Sequence, residues 1–226
     1  MFDGSIQYFF SCFLSFFRHI NLHQKNITIK ISGSTEIAYK ALVLGLYKDG
    51  TLIDGVSIEA FKKQSETIFV ELNQLFEKTG LDYKDVDEVI ITDGPGSYTG
   101  IRIAMTIAKV FCTQMHKTLK CISTMQLFAG MDESANVILD ARSKRAYVAH
   151  LEKGVVVGKT QILEVDQLED FLNKHPGTLY GDGYLVNQEA ASCDFLKNFI
   201  EVPSRTIENV HALVPQYLKE SDAYKA

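Results

Sequence analysis

Tryptophan is absent from this 226-residue chain, and it has only four prolines and four cysteines. The cysteines (Cys12, Cys112, Cys121 and Cys193) form no Cys-x-x-Cys pair. That usage excludes a disulfide-stapled scaffold and a cysteine-based zinc ribbon. It leaves cysteine as small apolar filler in a reduced, cytoplasmic protein. No low-complexity linker divides the chain, so two lobes, if present, pack directly. The apolar run from about Ile6 to Phe17 is too short to span a bilayer. It lacks the basic start and small-residue cleavage site of a secretory signal, and the Lys/Arg-rich polar face of a surface-lying helix. No membrane partner is therefore expected. Excess positive charge is missing too: the net charge is -5, which argues against a broad nucleic-acid-binding surface. The small basic run Arg142-Ser-Lys-Arg145 reads as a solvated turn. Three nucleotide and hydrolase signatures also fail. Gly100 is followed by Ile101 and Arg102 rather than the Lys-Ser/Thr of a P-loop; Gly94, Gly96 and Gly100 have one residue too many for Gly-x-Gly-x-x-Gly; and Ser97 lacks the flanking glycines of a nucleophile elbow.

What is present centres on Asp93-Gly-Pro-Gly-Ser-Tyr-Thr-Gly-Ile-Arg102. The preceding Val86 to Thr92 reads as a buried strand and the following Tyr98 to Met115 as a helix, with Ile101, Ala104, Met105, Ala108, Cys112 and Met115 on one side. Glycine allows backbone angles closed to other residues and lets a neighbour approach the main chain. A helix start adds unpaired N–H groups and partial positive charge, here beside the hydroxyls of Ser97 and Thr99. The turn suits an anion or a tightly apposed neighbour.

Around it the pattern is α/β. Strands are predicted at about 27–31, 42–47, 52–58, 120–122, 136–140, 146–151, 155–163 and 178–180, with turn signals at Lys48-Asp-Gly50 and Lys153-Gly154. Helices are predicted over Phe61 to Thr79, with Gly80 as its stop, over Thr124 to Ala129, and over 207–218, where Pro215 interrupts. Asp166-Gln-Leu-Glu169 reads as a capping box. Strands then helix, twice, is the order of a duplicated fold. The lobes are placed at 26–130 and 131–206, with the last helix returning to the first. Residues 1–25, holding six phenylalanines between Phe2 and Phe17, are read as a leader outside the fold.

Gly94-Pro-Gly-Ser-Tyr-Thr-Gly-Ile-Arg-Ile-Ala104, Ala108-Lys109 and Ile122-Ser-Thr-Met125 together resemble the TsaB (YeaZ) family. Leu139-Asp-Ala-Arg142 with Ala146-Tyr147, Tyr180-Gly-Asp-Gly183 and Leu213-Val-Pro-Gln-Tyr-Leu218 agree in order, so the resemblance runs from about residue 42 to the C-terminus. It implies a two-lobed actin/sugar-kinase/Hsp70-like (ribonuclease H-like) fold. It also implies a non-catalytic subunit in forming the threonylcarbamoyl group on adenosine 37 of tRNAs that read ANN codons. The implied partners are a TsaD homologue as heterodimer, the TsaE ATPase and, indirectly, tRNA, with a homodimer as the alternative pairing. No cofactor is expected on this chain alone; ATP or ADP with Mg belongs to the assembled complex. The family's partner-binding lobe maps to Ile68, Leu72, Leu75 and Phe76 on the first helix and Ile103, Ile107 and Val110 on the second. The turn residues Gly94, Pro95, Gly96, Ser97, Thr99, Gly100 and Arg102 form a polar corner near that interface.

The chain departs from the family where chemistry would sit. The family's first strand ends Asp-Thr-Ser, but here the sequence is Ile29-Lys-Ile-Ser-Gly-Ser-Thr-Glu36, and neither Ser32 nor Glu36 restores the pattern. The catalytic homologue's His-x-x-x-His falls on Thr124 and Phe128, neither of which replaces imidazole as a ligand. His19 and His23 have that spacing by chance, in the leader. Asp93 and Asp140 both end apolar strands and are read as turn caps. No catalytic and no metal-binding residues are therefore expected. A small-molecule kinase of the same superfamily and a metallopeptidase-like protein are the alternatives.

Overall fold

A computed structural model describes residues 27–33, 41–59, 64–96 and 98–216. The Phe-rich segment 1–25, the His19/His23 pair, Glu36 and Ser97 lie outside them. The first sheet has strand order β11-β5-β4-β1-β2-β3, from β1 (Ile27–Gly33), β2 (Ala41–Lys48), β3 (Thr51–Glu59), β4 (Val86–Thr92), β5 (Thr118–Ile122) and β11 (Arg205–Thr206). The second has order β10-β6-β7-β8, from β6 (Ala135–Arg142), β7 (Arg145–Glu152), β8 (Val155–Val156) and β10 (Thr178–Gly181), with β9 (Gln161–Glu164) also on β7. In each sheet the first strand pairs antiparallel with the next in sequence and parallel with a later one: β1 with β2 and β4, β6 with β7 and β10. This shared order in two sheets is the duplication expected of the actin/sugar-kinase/Hsp70-like class.

Local chemistry accounts for the hairpins. Asp49 and Gly50 have φ of 51° and 76°, and Lys153 and Gly154 have 47° and 74°, the two successive positive values a type I′ turn needs. Ser143 and Lys144 turn β6 into β7 in the same way, at 56° and 60°, without a glycine.

Alternation along the strands sends side chains to two different cores. Ile27, Ile29 and Ile31 of β1, Leu42, Leu44 and Leu46 of β2, and Val89 and Ile91 of β4 face helices α1 (Gln64–Thr79) and α2 (Tyr98–Met115). Val43, Tyr47 and Ile90 face the other way, toward Leu127 of α3 (Thr124–Ala129) and Phe199 of α5 (Phe195–Glu201). In the second sheet Val137, Leu139, Tyr147, Ala149 and Leu151 meet Met125 and Phe128 of α3, while Ile138, Ala146 and Val148 meet Leu168 and Phe171 of α4 (Leu168–Lys174). The layers are therefore α1/α2, sheet, α3/α5, sheet, α4. The lobes share the α3/α5 layer, where the Phe128 and Phe195 rings meet edge-on at 5.0 Å.

Several expectations need correction. The strand expected over 155–163 is two short strands, broken where Gly158 takes a φ of 78°. The turn before α4 opens at Glu164, whose N–H is accepted by Gln167 Oε1 at 3.0 Å, rather than at Asp166. No α-helix covers 207–216: it holds a 3-10 turn at Val210–Ala212, followed by Leu213 in an extended conformation, while 217–218 lie outside the described residues. The segment does return to the first lobe, burying Ile207 and Leu213 in its core. It returns earlier than the expected boundary at 206, because α5 packs on β2 and β3 and β11 pairs with β5.

α5 was not anticipated from the sequence. It is capped by Asp194, whose side chain accepts from Lys197 N–H at 3.0 Å, and it is held through its carbonyls. Tyr47 OH donates to Leu196 O at 2.9 Å, and Lys30 Nζ donates to Phe199 O. Lys30 is a buried lysine in mid-sheet, 4.7 Å from the Tyr47 ring centroid. Burial pulls its pKa down to about 8, with Glu88 opposing that fall and Lys120 adding to it. Its charge faces the carbonyl end of α5, where a cation is favoured.

Candidate functional site

The glycine turn is fastened on three sides. Asp93 N–H donates to Ile122 O at 3.1 Å, and Gly94 O accepts from Thr124 N–H at 2.9 Å and from Ser123 Oγ at 3.3 Å. Ser123 is the N-cap of α3, accepting from Met125 N–H, and Gln126 Oε1 completes the capping box. On the third side, Gln216 N–H donates to Asp93 O at 2.8 Å.

The Asp93 side chain is 1% exposed and does not cap the turn, contrary to the sequence reading. Its Oδ2 accepts from Arg205 at 2.5 Å and from Gln216 Nε2 at 3.0 Å, while Oδ1 is buried without a hydrogen-bond partner among the described residues. Burial raises its pKa above the usual carboxylate value, and Arg205 and Gln216 limit that rise. Arg205 and Gln216 lie more than a hundred residues along the chain, and no local signal in the sequence marks them. Lys109, part of the recognised motif, holds the same returning segment through Nζ bonds of 2.9 Å to His211 O and 3.0 Å to Leu213 O.

Of the two occupants the turn suits, a tight neighbour is found beside it. Gly94 has a φ of 121°, and a Cβ there would stand 3.0 Å from Gln216 O. Pro95 follows a cis peptide bond and is buried, Gly96 has a φ of 153°, and Gly100 is buried. Thr99 and Arg102 are exposed. Gly94→Ala should lower stability by about 1–3 kcal/mol, the range for a residue forced into a sparsely populated backbone region. Thermal melting of the purified variant measures it, and a melting temperature equal to wild type would refute the tight apposition.

A second polar group closes the carboxyl ends of β6 and β10. Asp140 does act as the expected cap, with Oδ1 accepting from Arg142 N–H at 2.7 Å. Its Oδ2 accepts from Tyr184 OH at 3.0 Å, and its own N–H donates to the buried Asp182 at 2.7 Å.

At the positions of the catalytic homologue's histidines, Thr124 is 3% and Phe128 1% exposed, both inside the α3 packing. Among the described residues no three His, Cys, Asp or Glu side chains group to hold a metal ion. Ser32 is in β1 paired with Val43.

The partner-binding set divides. Ile68, Leu72, Leu75 and Phe76 are 1–5% exposed and form the first lobe's core, so they offer no surface, because their stripe is the one that faces the sheet. Ile103, Ile107 and Val110 are half-buried on α2, spaced at four and three residues along one stripe. Val70 on the neighbouring α1 is 52% exposed.

Comparison with known proteins gives four further findings. The family model described as "TsaD: tRNA N6-adenosine threonylcarbamoyltransferase" matches residues 57–223. The chain is 25% identical over 208 residues to the tRNA threonylcarbamoyladenosine biosynthesis protein TsaB of Bacillus subtilis, covering 80% of this chain and 91% of that protein. It is also 25% identical over 130 residues to the TsaB of Buchnera aphidicola, covering 55% of this chain and 57% of that one. Among solved structures, YeaZ from Pseudomonas aeruginosa superposes with a TM-score of 0.64 at 15% identity, covering 85% of this chain and all of that one, a likeness of fold. No helix among the described residues is long and apolar enough to cross a membrane.

Proposed function

This chain belongs to the TsaD family of that model, alongside its TsaB (YeaZ) members, and from that premise we propose that it works in tRNA threonylcarbamoyladenosine biosynthesis as a non-catalytic subunit. Its role is to stabilise a catalytic TsaD homologue in the cytoplasm, within an assembly that includes the TsaE ATPase. The product is the threonylcarbamoyl group on adenosine 37 of tRNAs reading ANN codons, and nucleotide and Mg belong to the assembled complex.

The observation that carries the non-catalytic reading is the packing at Thr124 and Phe128. Where the resemblance to the catalytic homologue calls for two imidazoles, a buried threonine and a phenyl ring packed on Phe195 stand instead. Support for the scaffold role is the half-buried Ile103, Ile107 and Val110 stripe on α2, together with the exposed Val70 on α1. An apolar surface of this kind on paired helices suits docking by partner helices.

Co-purification with the host's TsaD homologue, followed by size-exclusion chromatography with light scattering, tests the reading. A stable heterocomplex is expected, with no ATP turnover by the lone chain. Ile107→Glu should weaken that complex at least ~10-fold, the effect of a hot-spot residue, while leaving the melting temperature within a few degrees of wild type. A homodimer that persists in the presence of the TsaD homologue, or magnesium-dependent ATP turnover by this chain alone, would overturn it.

A further inference from the structure

We infer that the β6–β7 turn and Tyr184 form a direct contact site for single-stranded RNA. The choice of RNA over other polyanions rests on the function proposed above. The turn is a two-residue loop closed by Arg142 and Arg145, and Arg142, Ser143 and Lys144 all have positive φ, at 63°, 56° and 60°. Three successive non-glycine residues in that region are uncommon. Arg142 and Lys144 are exposed and Arg145 half-exposed, and none of the three has an ion-pair partner among the described residues.

Asp140 ties an aromatic ring to this turn. Its Oδ1 accepts from Arg142 N–H and its Oδ2 from Tyr184 OH, so a single carboxylate fixes both. Tyr184 is 48% exposed, with its hydroxyl end held. A pinned, exposed ring beside clustered cations is the combination that binds single strands: bases stack on the ring and phosphates meet the cations. Two of the negative charges nearby have structural partners, and a third, the exposed Glu164, stands opposite Arg145 across β7 and β9. Asp140 accepts from the two donors named, and Asp182 is buried and accepts from Asp140 N–H. The chain's net charge of -5 repels RNA elsewhere, which confines binding to this local patch.

The test is fluorescence anisotropy of the full chain with a labelled, unstructured single-stranded RNA of about a dozen nucleotides, at several salt concentrations, with heparin as competitor. Lys144→Asn removes a charge at a backbone angle asparagine tolerates, so it should fold normally. It should weaken binding and reduce the salt slope by roughly 0.7, the share of one phosphate contact on a single strand. Tyr184→Leu should weaken binding by about 5- to 150-fold and leave the salt slope unchanged, as lost stacking does. The inference fails if wild type binds the RNA no better than Lys144→Asn, or if Tyr184→Leu binds as wild type and heparin displaces the RNA completely, which marks a simple polyanion patch. Because the lone chain is used, this failure is separable from failure to join the TsaD homologue.

Discussion

Ile68→Asp should yield no folded protein. Ile68 is 1% exposed on α1, packed with Leu72, Leu75 and Phe76 against β1, β2 and β4. The change removes an apolar side chain whose loss from a core costs about 2–5 kcal/mol. It also places a carboxylate where no cation or donor is arranged for it, at several kcal/mol more. Together these match most of the 5–15 kcal/mol that holds a domain of ordinary stability. Soluble yield and circular dichroism of the purified variant measure the effect. A soluble variant with a cooperative melt near wild type, unable only to bind partners, would restore Ile68 to the interface and undo the core assignment. The sequence alone favours that second outcome, because Ile68, Leu72, Leu75 and Phe76 are apolar whichever side of α1 they occupy. Ile107→Glu, on the half-exposed stripe of α2, is the matched control.

Arg205→Gln is expected to produce the other large change, one that depends on pH. Arg205 donates to a carboxylate that is 1% exposed, so its removal leaves Asp93 buried with Gln216 as its remaining side-chain donor. Breaking a fully buried pair in this way costs about 3–5 kcal/mol; with the Arg205 side chain 54% exposed, roughly 1–3 kcal/mol is expected near neutral pH. The sign with pH follows from the raised pKa of Asp93. A folded-state carboxylate pKa above its unfolded value means that the ionised form opposes folding. That cost is fully present above the folded pKa and is lost as pH falls toward the unfolded value. Arg205 limits the rise, so without it the pKa climbs further and the cost grows. The stability gap between wild type and variant is therefore widest at neutral pH and narrows on acidification. Melting both proteins from about pH 8 down to about pH 5 gives the answer. A gap that is constant or widens in acid would show that Arg205 does not compensate the Asp93 charge.

Asp93 also marks the limit of what local sequence conveys. The strand-turn-helix around it was legible residue by residue, because each part is set by near neighbours: alternation in Val86–Thr92, glycines in the turn, a three-and-four repeat in Tyr98–Met115. The role of the carboxylate was not legible. A turn cap and a buried ion pair need the same residue type, and the distinguishing partners, Arg205 and Gln216, arrive from the far end of the chain. The expected helix over 207–218 failed for a related reason. Its apolar residues Ile207 and Leu213 are real core positions, but they reach the core from either side of a 3-10 turn, in a segment held by Lys109 and Gln216 rather than from an α-helix. Apolar spacing cannot separate those cases over so short a stretch.

By itself the sequence determined the class of fold, the order of most strands and helices, the hairpin turns and the family, since these depend on periodicity, on backbone-permissive residues and on a contiguous motif. Tertiary structure alone decided which apolar stripe of α1 is core, that α5 lies between the two sheets with Lys30 at its carbonyl end, and that Asp93 is paired rather than a cap. The physical reason is common to all three. A side chain's burial and charge partner are set by what packs on it from distant parts of the chain, and that information is carried by the fold, not by neighbouring residues.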